Sequence, residues 1–409
     1  MSEKSNYDVI IVGGGLVGAS LATALEATRL KIAIIEAAPW FTKQRPPSYD
    51  DRIIALSHAS HRIFSGIGLW DKIAPEATPI KHIHVSDQGQ FGFTRLNNKD
   101  LGVPALGYVV SARHLGQTLN EVLTPSSIDI LAPAQLLQIN QHDKAVDVQI
   151  MLDKQPQTLQ TRLLVAADGD NSRVREQLGI STRETDYGQT AVIANITVEY
   201  PHKNIAYERF TPSGPLALLP LADNDCSLVW TCARSEVNEV MALDDQFFLK
   251  TLQAKFGWRL SRFTRVGQRH AYPLRLSRIQ QHTCGRVVII GNAAHTLHPV
   301  AGQGFNLGLR DVASLAEAII EGFWASDDVG NEVVLRDYMA WQLPDQQRIT
   351  TITDSLVRVF SNRFPPLVVA RNLGLLITDA LPFLKKQFVR QLAGLNGHSS
   401  RLVRGLPLL

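Results

Sequence analysis

The chain has 409 residues, of which 45% are hydrophobic and 19% are charged, and its mean hydropathy is −0.03. These values exclude a disordered or fibrous protein and allow one large core or two fused ones. Cys226, Cys232 and Cys284 are too few and too scattered for a disulfide framework, so we expect reduced thiols in a cytoplasmic protein. We expect neither a secretory signal nor a membrane-spanning helix, because the N-terminus is polar and no uninterrupted apolar run is long enough.

The net charge of +3 is small but unevenly spread, and we expect no nucleic-acid partner. Residues 358–409 contain eight Arg and Lys residues and one acid, Asp379, so this segment carries +7 and the preceding residues carry −4. The segment is also rich in Leu, Val, Ile and Phe. It is typical of helices lying on anionic lipid, which predicts peripheral contact with the inner face of the cell membrane. A terminal helical cap with solvated charges is the alternative, and both interpretations stay open.

The first elements predict a βαβ unit. A strand over Tyr7–Val12 runs into a glycine-rich turn at residues 13–18, followed by a helix over Ala19–Ala27 and a strand over Lys31–Ile35. Glu36 ends that second strand. In such a unit the helix N-terminus attracts a pyrophosphate and the acid accepts hydrogen bonds from ribose hydroxyls. The intact context favours a dinucleotide site over a tight turn that binds nothing.

The middle of the chain has a different pattern. A proline-containing loop reaches Asp51 and Arg52. The later elements predicted in chain order are strands within 80–96, a helix over Ala112–Leu123, a hairpin from Ala145–Leu152 and Gln160–Val165, several strands within 190–233, and a helix over 244–257. We therefore expect an α/β fold in which residues 1–75, 100–183 and 270–345 form a nucleotide-binding domain, residues 76–99 and 184–269 form a β-rich domain, and residues 346–409 form a helical C-terminal region.

A second motif follows the second hairpin strand, where Asp168 begins the run Asp-Gly-Asp-Asn-Ser. Taken alone, this run is typical of a simple turn. The basic residues Arg173 and Arg175 come directly afterwards, so a carboxylate, small residues and cations stand together where a strand ends. That combination favours a binding function.

A third motif spans Gly291–Asn306, after the apolar run Val287–Ile290. Asn292 can bond a polyol chain, while Gly302 and Gly304 let the backbone approach a flat ring. We predict a helix over Phe305–Gly322 whose N-terminus stabilises negative charge on that ring. His295 and His298 are three residues apart without a nearby acid or thiol cluster, so we expect no metal site.

Together the three motifs resemble the p-hydroxybenzoate hydroxylase-like family of FAD-dependent aromatic hydroxylases over nearly the whole chain. That family combines a glycine-rich turn, a strand-end Asp-Gly and a Gly-Asp-Ala-Ala-His…Pro…Gly-Gln-Gly-x-Asn motif. The resemblance implies a Rossmann-like FAD-binding domain interrupted by a β-rich substrate domain, with a helical C-terminal part. It also implies FAD as cofactor, NAD(P)H as transient reductant and O₂ as co-substrate.

The same resemblance implies which residues contact the cofactor: Gly13, Gly15, Gly18, Glu36, Arg52, Arg113, Asp168, Asn292, Pro299, Gly302, Gln303, Gly304 and Asn306. The first four would hold the ADP half, and Pro299 with residues 302–306 would face the isoalloxazine. Because the flavin supplies the chemistry, no side chain is assigned a catalytic role; Arg52, His295 and Pro299 are pocket candidates. Asn292 departs from the family's usual Asp, and its amide keeps an acceptor but loses a charge, so we expect FAD binding to survive, at most with weaker affinity.

Within the family, the segments at residues 51–56, 84–87 and 301–308 are most similar to the ubiquinone-biosynthesis hydroxylases. This implies hydroxylation of a polyprenylated phenol, with 2-polyprenyl-6-methoxyphenol as the expected substrate. One alternative is a sister hydroxylase that acts at another ring position or on a soluble aromatic compound. A more distant one is a non-catalytic scaffold in a ubiquinone-biosynthesis protein complex.

Overall fold

The computed structural model describes residues 5–40, 52–298, 302–362 and 364–409. The elements up to residue 180 are β1 (Ser5–Val12), α1 (Leu16–Leu25), β2 (Ile32–Ile35), β3 (Ile53–Ser57), α2 (His58–Gly66), α3 (Trp70–Ile73), β4 (Thr78–Ile80), β5 (His82–Asp87), β6 (Phe93–Asn97), β7 (Gly107–Ser111), α4 (Ala112–Leu123), β8 (Asp129–Leu131), β9 (Ala134–Gln141), β10 (Val146–Leu152), β11 (Gln155–Ala166) and α5 (Arg173–Gln177).

The remaining elements are β12 (Thr182–Val198), β13 (Ile205–Thr211), β14 (Gly214–Pro220), β15 (Asp225–Ala233), α6 (Val237–Ala242), α7 (Asp245–Phe256), β16 (Phe263–Val266), β17 (His270–Ile279), β18 (Thr283–Cys284), β19 (Val287–Ile289), β20 (His295–Thr296), α8 (Gln303–Ser326), α9 (Glu332–Ser361), α10 (Pro365–Ala380) and α11 (Pro382–Leu392). A short 3₁₀ turn covers Gly291–Ala293.

The first sheet has a parallel centre formed by β8, β2, β1, β11 and β19. These strands are apolar because both faces are covered. Helices α1, α4 and α8 share one core cluster with one face, and β9 and β10 share a second cluster with the other. The predicted hairpin is confirmed: β10 pairs antiparallel with β11, which is long enough at 12 residues to pair with β1 as well.

The second sheet has nine strands in the order β20-β17-β12-β15-β14-β13-β5-β6, with β16 also on β12. Helix α7 covers one face, where Trp230 packs on Phe248. The strands predicted within 80–96 are confirmed as β5 and β6, and β5 pairs in parallel with the distant β13. A small third sheet, β3-β7-β4, was not predicted, because its strands have only three to five residues.

Helix α8 is the central helix of the molecule and is buried on all sides from Asn306 to Leu315. It starts two residues earlier than predicted, because Gly302 adopts a left-handed conformation that starts the helix there. The predicted α/β class with a helical C-terminal part is confirmed. Among the described residues, no single helix is long and apolar enough to cross a membrane; α10 and α11 meet that criterion only as a pair, and they are bent by 100°.

Candidate functional site

The three sequence motifs meet at one edge of the first sheet. The register pairs Val12 with both Ile35 and Ala166, and Ala166 with Ile289, so four parallel strands end side by side. The residues that follow these ends are Gly13, Glu36, Ala167-Asp168 and Ile290-Gly291. In open α/β sheets, ligands bind in the crevice beyond the carboxyl ends of the strands. The strand register therefore places all three motifs around one crevice.

The first glycine turn contains two kinds of glycine. Gly13 has a φ of 105°, and a Cβ there would lie 2.4 Å from the carbonyl oxygen of Ala167. A Cβ on Gly18 would lie 2.0 Å from the carbonyl oxygen of Gly13. At Gly15, by contrast, a Cβ would meet nothing within 4 Å. The protein itself therefore requires Gly13 and Gly18, whereas Gly15 borders open space that a ligand can enter.

Glu36 is held beside this turn. Its Oε2 accepts a hydrogen bond of 2.7 Å from the N–H of Gly14, and its Oε1 accepts one of 2.8 Å from the N–H of Ala38. Two backbone donors thus fix an acceptor carboxylate at the end of β2, where a ribose of a bound dinucleotide lies in this fold.

Arg52 and Arg113 are both exposed and come from neighbouring strand ends, because the N–H of Ala112 donates a 2.8 Å bond to the carbonyl of Arg52. The Arg52 guanidinium lies 5.8 Å from the ring centroid of Tyr272 in β17. Arg52 therefore stands between the third sheet, at the start of β3, and the second sheet. Asp51, which the resemblance also used, lies outside the described residues.

The second motif is tied to the third, which a simple turn would not require. Arg175 donates to the carbonyl of Ala293 at 2.8 Å and to that of Asp170 at 2.6 Å. Asp170 also accepts from Thr296 at 3.1 Å and pairs with Arg275. Asp168 accepts only from the N–H of Val174, and its buried Oδ1 has no hydrogen-bond partner among the described residues. That oxygen is available to a ligand.

Val17 brings the first and third motifs together. A Cβ on Gly291, whose φ is 59°, would lie 3.1 Å from the Val17 side chain, and a Cβ on Gly308 would lie 3.0 Å from it. The glycines thus allow the first turn of α1 to pack directly on the third motif. Asn292 is exposed in the 3₁₀ turn, so its amide is accessible from the crevice.

Asn306 uses its whole side-chain amide inside the protein. Its Oδ1 accepts from the N–H of Ser57 at 2.7 Å and from the hydroxyl of Ser60 at 2.6 Å. Its Nδ2 donates to the carbonyls of Ala55 at 2.8 Å and Gly302 at 2.6 Å. Two acceptor sites and two donors are the full capacity of an amide. The side chain therefore fixes the start of α8 on β3.

The start of α8 borders open space. A Cβ on Gly302 would lie 3.1 Å from Ala55, whereas one on Gly304 would meet nothing within 4 Å. Gln303 between them is buried. Pro299 lies outside the described residues. As at the first turn, one glycine is required by the protein and another borders an opening.

The two histidines of the third motif have different partners. Nε2 of His295 lies 2.7 Å from Oδ2 of Asp311, so an acid does stand beside this histidine, contrary to the sequence interpretation. The sequence missed it because Asp311 lies 16 residues away. His298 instead bonds Gln189 at 3.3 Å, and burial lowers its pKa to about 4, which keeps it neutral. The described residues contain no group of three metal-binding side chains.

Asp311 is the centre of a buried network. It is fully buried and accepts from the N–H of Gly291 at 3.0 Å, from His295, and from the amides of Gln342 at 2.7 Å and Gln346 at 2.8 Å. Burial alone would raise its pKa, but the facing His295 and these hydrogen bonds hold that pKa below 3.8. An ionised carboxylate thus links α9 to the backbone of the third motif.

Sequence reasoning missed Asp311, Gln342 and Gln346. A signal for the first was present, because Arg310 and Asp311 are adjacent charges within an otherwise apolar stretch of α8. Charged side chains on a fully buried helix face require partners, and Nε of Arg310 donates to Oδ2 of Asp345 in α9 at 2.6 Å. The two glutamines gave no such signal, since their helix is amphipathic.

The N-termini of α1 and α8 are left without side-chain caps among the described residues, and both begin at a glycine. Helices α2, α4, α5, α7 and α9 are instead capped by Ser57, Ser111, Ser172, Asp244 and Asn331. Helices α3, α6, α10 and α11 also lack a side-chain cap, but none of them begins at a glycine. Uncapped N–H groups carry partial positive charge and bind anions. With open space at Gly15 and Gly304 and the unpartnered oxygen of Asp168, this arrangement fits a dinucleotide that extends from α1 to α8, as FAD does.

Comparisons with known proteins agree with this geometry. Residues 6–329 match the family described as FAD binding domain. The ubiquinone hydroxylase UbiL of Rhodospirillum rubrum is 38% identical, over 98% of this chain and 93% of that protein. The 3-demethoxyubiquinol 3-hydroxylase of Escherichia coli is 30% identical, over 95% of this chain and 98% of that protein.

Among solved structures, p-nitrophenol 4-monooxygenase PnpA of Pseudomonas putida superposes with a TM-score of 0.76, covering 96% of this chain and 99% of that one. At 18% identity this likeness concerns the fold alone. The family match and the full-length relatives decide the assignment. The chain belongs to the FAD binding domain family and is an FAD-dependent aromatic hydroxylase of the ubiquinone-biosynthesis subgroup.

Proposed function

We propose that this protein uses NAD(P)H and O₂ to hydroxylate the ring of a polyprenylated phenol, with 2-polyprenyl-6-methoxyphenol as its substrate. The observation that carries the proposal is the contact of Val17 with Gly291 and Gly308, which joins the nucleotide motif to the ring-facing motif. The names of the full-length relatives support a ubiquinone precursor as the compound that is hydroxylated.

We assign the ADP half of FAD to the first turn and Glu36, and the ribityl chain to Asn292. The backbone at Gly302, Gln303 and Gly304 faces the isoalloxazine in this proposal, and Arg52 and Arg113 border it. Pro299, which the family resemblance assigns to the same ring, lies outside the described residues. Asp168 offers its unpartnered Oδ1 to the cofactor. Asn306 and His295 act differently: the Asn306 amide and Nε2 of His295 bond protein partners, so these side chains position the backbone around the cofactor.

Bound FAD supplies the redox chemistry, which is acceptance of hydride from NAD(P)H and activation of O₂. The protein provides the environment. The N-terminus of α8 favours negative charge on the adjacent part of the ring system. Apolar side chains from β3, β5 and β14 exclude water and orient the phenol ring, and they form one cluster that includes Ile53, Ala55, Ile83 and Leu219.

The same proposal gives the two sheets different tasks. The FAD-binding part consists of residues 1–75, 100–183 and 270–345. The β-rich wall of the substrate site consists of residues 76–99 and 184–269, and the helical region of residues 346–409 covers both parts. Strand β17 lies just inside the FAD-binding range and pairs with β12 of the β-rich sheet, so it joins the two parts.

The test is a deletion strain of the source organism combined with assay of the purified protein. We expect accumulation of 2-polyprenyl-6-methoxyphenol, detected by mass spectrometry, and NAD(P)H oxidation that this phenol stimulates. Accumulation of an intermediate that lacks a different hydroxyl would refute the ring position. Purified protein that holds no flavin and oxidises no NAD(P)H with any phenol would instead support the scaffold.

A second candidate is hydroxylation at another ring position of the same pathway. The relative from Escherichia coli favours it, because that enzyme is a 3-demethoxyubiquinol 3-hydroxylase and matches 98% of its own length to this chain. In the deletion strain this candidate predicts accumulation of a demethoxyubiquinol instead. The two outcomes differ in the mass of the accumulated compound.

A further inference from the structure

Helix α10 exposes an apolar face. Val369, Leu373, Ile377 and Leu381 recur every four residues, so they lie on one side of the helix, and each is about half exposed at 47–50%. Three more exposed apolar side chains lie just before α10 and in α11, which is bent by 100° from α10, namely Phe364, Phe383 and Leu384. We call these seven residues the α10–α11 apolar face. Exposed apolar side chains clustered on neighbouring helices in this way mark candidate interaction sites.

The helix is firmly held from its other side. Asn372 is fully buried, donates to Asp87 at 2.9 Å and accepts from the N–H of Gly92 at 2.8 Å. Arg371 donates to the same carboxylate at 2.8 Å. Because these bonds join α10 to β5 and its turn, the orientation of the apolar face is fixed by the fold.

The charges around this face suit an anionic surface. Lys386 and Arg390 are exposed on α11, next to Phe383 and Leu384 in sequence. The one acid of residues 358–409, Asp379, is bonded to the N–H of Arg95 at 2.8 Å and to Lys385 at 3.1 Å. Among the described residues of this segment, the one acidic side chain is therefore paired with cations. Apolar side chains flanked by exposed cations are typical of helices that lie in a bilayer interface.

Apolar packing connects the inner side of α10 and α11 with the start of α8. Ala55, which a Cβ on Gly302 would touch, belongs to the same cluster as the half-buried Ile83 of β5. Ile83 also packs in a cluster with Leu375 of α10 and in another with Val389 of α11. One strand residue thus contacts apolar groups that reach from the candidate flavin site to both terminal helices.

We propose that the α10–α11 apolar face docks on a bilayer that contains anionic lipid. The docking follows from the exposed surface and its charges, and only its use in admitting a polyprenyl substrate rests on the proposed function. Contact with lipid at this face holds both terminal helices, and the substrate site packed behind them, at the membrane surface, where a prenylated phenol resides.

The experiment is co-sedimentation of the FAD-loaded full-length protein with vesicles, without turnover, so that its result is independent of the substrate. Vesicles contain phosphatidylcholine alone or with about 30% phosphatidylglycerol. We expect preferential binding to the anionic vesicles. The double variant Leu373→Ser/Ile377→Ser should lose about tenfold or more in affinity, because two apolar side chains no longer enter the interface. Lys386→Gln/Arg390→Gln should abolish the preference for anionic lipid.

The matched control is Phe247→Ser, which removes a 58%-exposed apolar side chain from α7, outside the face. It should bind vesicles like the parent protein. Equal binding by the control and the Leu373/Ile377 variant, or no binding by the parent, overturns the proposal. Sedimentation velocity without lipid gives the remaining outcome: a parent dimer that the Leu373/Ile377 variant abolishes assigns the face to a second copy of this chain, which also overturns it.

Discussion

The buried carboxylate of Asp311 offers the sharpest test of how the third motif is held. Asp311→Asn keeps the size of the side chain but replaces one acceptor oxygen with a donor. All four described partners are donors, with two on each oxygen: Gly291 and His295 on Oδ2, and Gln342 and Gln346 on Oδ1. Whichever way the new amide points, two donors therefore face its NH₂ group.

The magnitude follows from these contacts. A hydrogen bond to a charged group contributes about 1.5–3 kcal/mol, and breaking a buried ion pair costs about 3–5 kcal/mol. Because the four bonds share one carboxylate, their losses do not add, and we expect the free energy of unfolding to fall by about 3–5 kcal/mol. Loosening of the Gly291 turn should also weaken FAD binding by about tenfold, the equivalent of one such bond.

The assay is urea unfolding of the FAD-free protein, paired with titration of FAD by flavin fluorescence. The control is Asp337→Asn, which breaks a solvent-exposed pair with Arg336 at 3.8 Å and should cost less than about 1 kcal/mol. The network argument is refuted when Asp311→Asn is no more destabilising than this control. In the parent, the Asp311 contribution should be present above pH 3.8 and lost as the pH falls below that value, since its folded pKa is lowered.

Three further predictions concern glycines, the atypical amide and a buried histidine. Gly15→Ala should leave stability to urea unchanged, because its Cβ would enter open space, but it should weaken FAD binding, because that space is where the cofactor is proposed to lie. Gly18→Ala should lower both stability and FAD affinity, because its Cβ would lie 2.0 Å from the carbonyl oxygen of Gly13. Equal FAD affinity in Gly15→Ala and the parent would place the cofactor elsewhere. Asn292→Asp, at an exposed position, should change the free energy of unfolding by less than about 0.5 kcal/mol. It should bind FAD more tightly than the parent protein, as measured by fluorescence titration. Burial lowers the pKa of His282 from 6.5 to about 4, so the unfolded state binds the extra proton and stability is lost as pH falls through this window. Between about pH 7 and pH 5, the free energy of unfolding of His282→Gln should therefore fall by about 2 kcal/mol less than that of the parent. The same pH dependence of unfolding in both proteins would contradict this.

Much of the site was readable from local sequence. The turn after β1 has to be glycine at residue 13 because φ is 105°, and backbone sterics permit such an angle mainly to glycine. The helix over residues 112–123 was predicted with its observed bounds, since its apolar periodicity is regular. These features depend on interactions within about one helical turn or one strand, which a short stretch of sequence contains in full.

Other features depended on which distant segments the strand register brings together. His295 gained an acid from α8, Asn306 gained β3 and α2 as partners, and Asp170 gained Arg275 of β17. The sequence placed apolar and basic residues at the C-terminus but left open which of them face outward. Only the packing of Asn372 on Asp87 decided that Leu373 and Ile377 lie on the surface. Local sequence determines backbone conformation through steric preference and periodicity, whereas the tertiary structure chooses partners, because burial and hydrogen bonding join residues that are far apart in the chain.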